Sequence, residues 1–113
     1  MNEPYTLIKT IVSQVEIPAD GILSKPISSD EQLRATLFAM SAGQEMSEHT
    51  TTMEALLQIL EGEADITLGD APHRVGTGDW IRMSPNLRHS ITAVTPLKML
   101  LVVLRGTKSL KSD

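Results

Sequence analysis

Glu63-Ala64-Asp65-Ile66-Thr67-Leu68, followed by Gly69-Asp70, is the stretch that decides the fold class. Apolar and polar side chains alternate through it with period two, as a strand with one wet face requires. Gly69-Asp70 carries the chemistry of a two-residue turn, so Ala71 to Val75 is predicted to return as the hairpin partner. Outward from this hairpin, Leu33 to Met40, Ala55 to Leu60 and Leu97 to Leu104 are apolar on both faces, and both faces are expected to be covered. Glycine or proline punctuates the chain every few residues from Pro18 to Pro96, and no long run has helical period. Many short strands at close spacing predict an all-β sandwich or barrel. The one helical expectation is a short helix within Pro4 to Thr10.

A chain of 113 residues fits a single domain, 1–113, because halves of that length would be too small to bury a core. Apolar residues at 41% and charged residues at 21% match a globular balance rather than a disordered one. The formal charge of −4 argues against nonspecific nucleic-acid binding, which needs a basic stripe to displace counterions. Only Lys108-Ser109-Leu110-Lys111 is locally basic, and it reads as a solvated end. Cysteine is absent, which removes disulfides, thiolate metal sites and cysteine nucleophiles together. Met1 to Gln14 lacks the basic start and apolar run of a secretory leader, and Met99 to Leu104 is too short to cross a bilayer. A cytoplasmic, non-membrane protein is the expectation. With one Trp, one Tyr and one Phe, the core is left to Leu, Ile, Val, Ala and six Met. So few large anchors, together with the doubly apolar strands, predict further burial in a homodimer.

Chemistry centres on three histidines, His49, His73 and His89. His49 closes Gly43-Gln44-Glu45-Met46-Ser47-Glu48-His49 and leads into the apolar stretch ending at Glu61-Gly62. His89 closes Gly78-Asp79-Trp80-Ile81-Arg82-Met83-Ser84-Pro85-Asn86-Leu87-Arg88-His89. His73 falls in the return strand of the hairpin and reads as a surface residue. Asp79 belongs to a turn outside any pocket, Trp80 to an interface or second face, and Met46, Met53 and Met83 to the core. No glycine-rich phosphate loop, serine elbow or paired glycosidase acids are present.

The two histidine stretches resemble the two motifs of the cupin superfamily, at about 43–62 and 78–93. Gly43, His49, Glu61-Gly62, Gly78-Asp79, Pro85 and His89 fall in register with the family pattern. The resemblance covers about Ile22 to Leu104 and is nearest the small single-domain, RmlC-like cupins of unassigned function. It implies a double-stranded β-helix, or jelly-roll, barrel. It also implies that the four places where the family holds a metal correspond here to His49, Thr51, Ala55 and His89. Two of these four are good ligands, so the first metal motif is degenerate. Glu54 stands one residue before the expected carboxylate, and strand alternation points it away from Ala55 unless a bulge re-aims it.

Two readings follow. In the first, the barrel binds a small organic molecule in a pocket formed by His49, Thr51, Ala55, Leu57, Ile59, Ile81, Met83 and His89. In the second, the protein is a metal-dependent enzyme, similar to cupin dioxygenases or isomerases. One divalent ion (Zn, Ni, Mn or Fe) would then be held by His49 and His89, with Glu54 as third ligand. Thr51 and Ala55 favour the first.

Overall fold

The computed structural model describes residues 4–106; the basic Lys108–Lys111 stretch lies outside them. Nine strands make up the described fold: β1 (Ile22–Ser29), β2 (Leu33–Met40), β3 (Glu45–His49), β4 (Glu54–Glu61), β5 (Glu63–Leu68), β6 (Ala71–Gly76), β7 (Trp80–Met83), β8 (His89–Ala93) and β9 (Leu97–Leu104). They form two facing sheets, a five-stranded one in the order β1-β2-β9-β4-β7 and a four-stranded one in the order β3-β8-β5-β6. All pairs are antiparallel. The result is an all-β barrel, as the spacing of short strands predicts, with the jelly-roll arrangement that the resemblance to the cupin motifs implies.

The deciding hairpin forms as its sequence requires. Leu68 pairs with Ala71 across Gly69-Asp70, and Gly69 takes φ 62, the positive value that two-residue hairpin turns need at their first position. Along β5, Ala64 and Ile66 are buried while Glu63 and Asp65 are exposed, so the alternation sets the inward face directly.

The doubly apolar strands lie in the five-stranded sheet. Their inner residues, including Met40, Ala55, Leu57, Ile59, Leu97, Met99 and Val103, join Ile66, Met83 and Ile91 in the core between the sheets. The outer face holds a second cluster of Val15, Leu37 and Ala39, against which Ile11, Ile17, Leu60 and Leu100 pack. Part of the covering expected from a partner subunit is therefore supplied by the chain's own N-terminal segment.

That segment corrects the helical expectation. Pro4 to Thr10 is not helical; a single 3₁₀ turn, Ile11–Gln14, follows it. Thr6, Ile8, Thr10, Ile11 and Val12 are β-branched and lose rotamer freedom in a helix, and Ile11, Val15 and Ile17 gain burial by lying along the sheet. No helix among the described residues is long and apolar enough to cross a membrane.

Two turns are held by short polar side chains. Asp30 Oδ1 accepts hydrogen bonds from the Gln32 and Leu33 amides at 2.8 and 3.0 Å, and these bonds draw its carboxyl below the usual range. Asp79 Oδ2 accepts from the Gly76 amide at 2.8 Å, which places Asp79 in the turn before β7 and away from the barrel interior.

Candidate functional site

His89 opens β8, where burial alternates through His89, Ile91 and Ala93, all on the inner face. On β3, strict alternation would put Met46 and His49 on opposite faces, since they are three residues apart. The pairing shifts instead: Met46 faces Ile91 and His49 faces His89, so three steps on β3 match two on β8. This bulge adds one residue and turns His49 onto the same face as Met46. The two imidazoles consequently meet as a cross-strand pair, ring centroids 4.2 Å apart and tilted by 60°.

Each ring is anchored in the same way. Nδ1 of His49 lies 2.8 Å from the Ser47 carbonyl, and Nδ1 of His89 lies 2.9 Å from the Leu87 carbonyl. A carbonyl oxygen only accepts, so each Nδ1 donates, and in the neutral ring Nε2 keeps the lone pair. Neither Nε2 has a hydrogen-bond partner among the described residues. His89 is 6% exposed, yet no buried side-chain nitrogen or oxygen lacks a partner among the described residues, so its Nε2 keeps contact with open space.

That space is a cavity of about 140 Å³ between the sheets. Phe38, Leu57, Met83, Met99 and Leu101 wall it from the larger sheet, and Met46, His49, His89 and Ile91 from the smaller. His49 is exposed and marks the mouth, while His89 lies deeper. Arg88, which precedes His89 in the chain, is paired with Asp70 at 2.9 Å and Glu48 at 3.5 Å. Asp70, and after it Glu48, holds the guanidinium above its usual pKa range, so this cation is committed to surface carboxylates.

Four of the eight residues expected to form the pocket stand on this wall: His49, Leu57, Met83 and His89. The other four do not line this cavity. Ala55 and Ile59 point inward but are consumed by the core, at 1% and 0% exposure. Ile81 packs half-buried against the same core. Thr51 lies before β4, where its Oγ1 accepts from the Met53 amide and its carbonyl accepts from the Asn86 amide at 2.7 Å.

Glu54 does not join the histidines. Its β4 neighbours alternate so that Ala55 faces inward and Glu54 outward, and on that outer face it pairs with Arg82. Among the described residues no three His, Asp or Glu side chains come together as a metal site. His73 is exposed on β6, and Trp80 is 59% exposed on β7 at the edge of the larger sheet. Phe38, Met46, Ile91, Met99 and Leu101 were not expected in the pocket. For Phe38, Met99 and Leu101 the reason is that both faces of β2 and β9 are apolar, so alternation carries no contrast to show which side is inward.

Two facing antiparallel sheets in this order, enclosing an apolar cavity with a histidine pair, define a jelly-roll barrel protein with a candidate ligand site. The family model for the Cupin domain matches residues 36–103, and the chain belongs to that family. It is similar to a conserved protein of unknown function from Streptococcus pyogenes, with 31% identity over 93% of this chain and 90% of that one and a TM-score of 0.79. A cupin superfamily protein from Desulfitobacterium hafniense shares 25% identity over 92% of this chain and 94% of that one, with a TM-score of 0.80. An RmlC-like cupin from Desulfovibrio desulfuricans, at 22% identity, covers 89% of this chain and 98% of that one with a TM-score of 0.78, a likeness of fold alone. No curated protein matches the chain.

Proposed function

We propose that the protein binds a small organic molecule in the cavity between its sheets, with His49 and His89 as the polar end of the site. The observation that carries this reading is the cavity itself. Protein interiors are close-packed and leave few voids larger than a water molecule. Here about 140 Å³ stays open behind a mouth, walled by seven apolar side chains and two imidazoles. A concave apolar wall with few convergent polar groups is the form that small-molecule recognition takes. Fragment binding followed through methionine methyl resonances checks it. Binders are expected to shift Met46, Met83 and Met99 and to leave Met53 in place. A fragment library that moves none of the three wall methionines would overturn the reading.

The metal-dependent enzyme is the second reading, and the anchored Nδ1 atoms favour it, because a fixed tautomer presents Nε2 to an ion. The donor set does not fit a tightly held resident ion. Zn, Ni, Mn or Fe sites ordinarily use three or more protein ligands, and this one offers two imidazoles. A divalent ion added to tag-free protein is expected to leave on dialysis against EDTA. An ion retained one to one after that treatment would favour the enzyme reading instead.

A homodimer belongs to the same proposal. Leu56, Val102 and Leu104 share the outer face of the larger sheet, with exposed Trp80 on its edge strand. A second copy covering this face would bury at least roughly 1,000 Å², as a specific interface requires. Sedimentation at tens of micromolar protein is expected to show the dimer; a monomer throughout would count against it.

A further inference from the structure

We propose that the ligand is an uncharged, single-ring aromatic molecule bearing an O–H or N–H donor, a phenol or an azole in chemical class, and that Nε2 of His89 accepts its hydrogen bond. This rests on the small-molecule reading of the cavity and narrows it.

Size sets the first limit. A dry cavity of roughly 150 Å³ in another protein admits benzene, and this one is about 140 Å³, so one six-membered ring fills it. The wall sets the second. Met46, Met83 and Met99 bring three thioethers to one small space beside the ring of Phe38. Thioether sulfur contacts aromatic rings favourably, and unbranched methionine side chains adapt to a flat guest.

Polarity sets the third. The Leu87 carbonyl takes the Nδ1 proton of His89, so the neutral ring shows the cavity an acceptor and no donor. A guest without a donor leaves that nitrogen dehydrated and unpaired, a penalty that hydrogen-bonding sites use to reject isosteres. Charge sets the last. No Lys or Arg stands on the wall, and Arg88, next to His89 in the chain, is held by Asp70 and Glu48. A carboxylate inside would be desolvated with no countercharge supplied by a basic side chain.

The test uses the full chain after EDTA treatment, at about pH 8, where free imidazole is neutral. Phenol, toluene and benzoate are titrated separately while the Met46, Met83 and Met99 methyl resonances are followed. Phenol is expected to bind about tenfold more tightly than toluene, the gain of one hydrogen bond, and benzoate more weakly than phenol. In His89→Leu, toluene should still bind while the advantage of phenol falls to about twofold or less. The ¹⁵N resonance of His89 Nε2 in the unsubstituted protein gives a readout that needs no variant: phenol should move it and toluene should leave it near its free position. Equal affinities for phenol and toluene, a preference for benzoate, or an unmoved Nε2 resonance would overturn the ligand class and leave the small-molecule reading standing. Wall methyls unmoved by these three compounds and by a wider fragment set would overturn both.

Discussion

Gly62→Ala is expected to destabilise the protein by about 3 kcal/mol or more and to lower its thermal midpoint by about 10 °C or more. Two costs combine at this residue. Gly62 joins β4 to β5 with φ 100, a region that residues with a Cβ rarely adopt. The added methyl would also sit 2.1 Å from the Pro96 carbonyl oxygen, 2.9 Å from Thr95 Oγ1 and 3.2 Å from Leu97 Cα. The nearest of these is backbone, so no side-chain rotation relieves the clash. The approach is close because the two segments are tied: the Glu63 amide donates to Thr95 Oγ1 at 3.0 Å, and the Val94 amide donates to the Glu63 carbonyl at 2.9 Å. Gly43→Ala is the control: Gly43 has φ 88, but a methyl there would meet nothing within 4 Å, so the change should cost clearly less. Urea unfolding of the two variants decides the point; equal losses would remove the close approach as the cause.

Ile59→Ala is expected to cost about 2–5 kcal/mol, in the upper half of that range. Ile59 is 0% exposed, lies inward on β4 opposite Met99 of β9, and has no solvent path to fill the hole left behind. The strand is also poorly placed to collapse into that hole. The Ile59 amide donates to the Asp79 carbonyl at 2.9 Å, and the Gly78 amide donates to the Ile59 carbonyl at 2.8 Å, which pins both backbone polar groups of Ile59 to the turn before β7. Ile81→Ala removes the same kind of side chain from a half-buried site and should cost about half as much or less. Denaturant midpoints for the two variants are the measurement, and an Ile59→Ala loss no larger than that of Ile81→Ala would contradict the packing argument.

Local chemistry alone specifies much of the fold. Alternation in Glu63–Leu68 and the turn at Gly69-Asp70 dictate a hairpin, because period-two patterning and positive φ at glycine act over neighbouring residues. The strands Leu33–Met40 and Leu97–Leu104 take the bounds their apolar runs indicate for the same reason. The N-terminal segment shows where local chemistry stops deciding. Its apolar residues are legible, but whether they coil into a helix or lie against the outer sheet face depends on Leu37, Leu60 and Leu100, which are distant in sequence.

The site divides along the same line. The sequence by itself determined that His49 and His89 close the two motif stretches and that cysteine chemistry is absent, while the resemblance to the family implies that Thr51 and Ala55 stand at places where metal ligands are expected. Only the tertiary structure decided which of the apolar residues around them form a wall. The bulge between Met46 and His49 reverses the facing of one histidine, and a bulge is a property of two paired strands, invisible in either alone. The outward turn of Glu54 is legible from alternation against Ala55, whereas its pairing with Arg82, 28 residues away, exists only in the folded sheet. Phe38, Met99 and Leu101 reach the cavity through the register of β2 and β9, whose apolar side chains on both faces give alternation nothing to distinguish. Facing is a relation between strands, and it exists once the sheets have closed on each other.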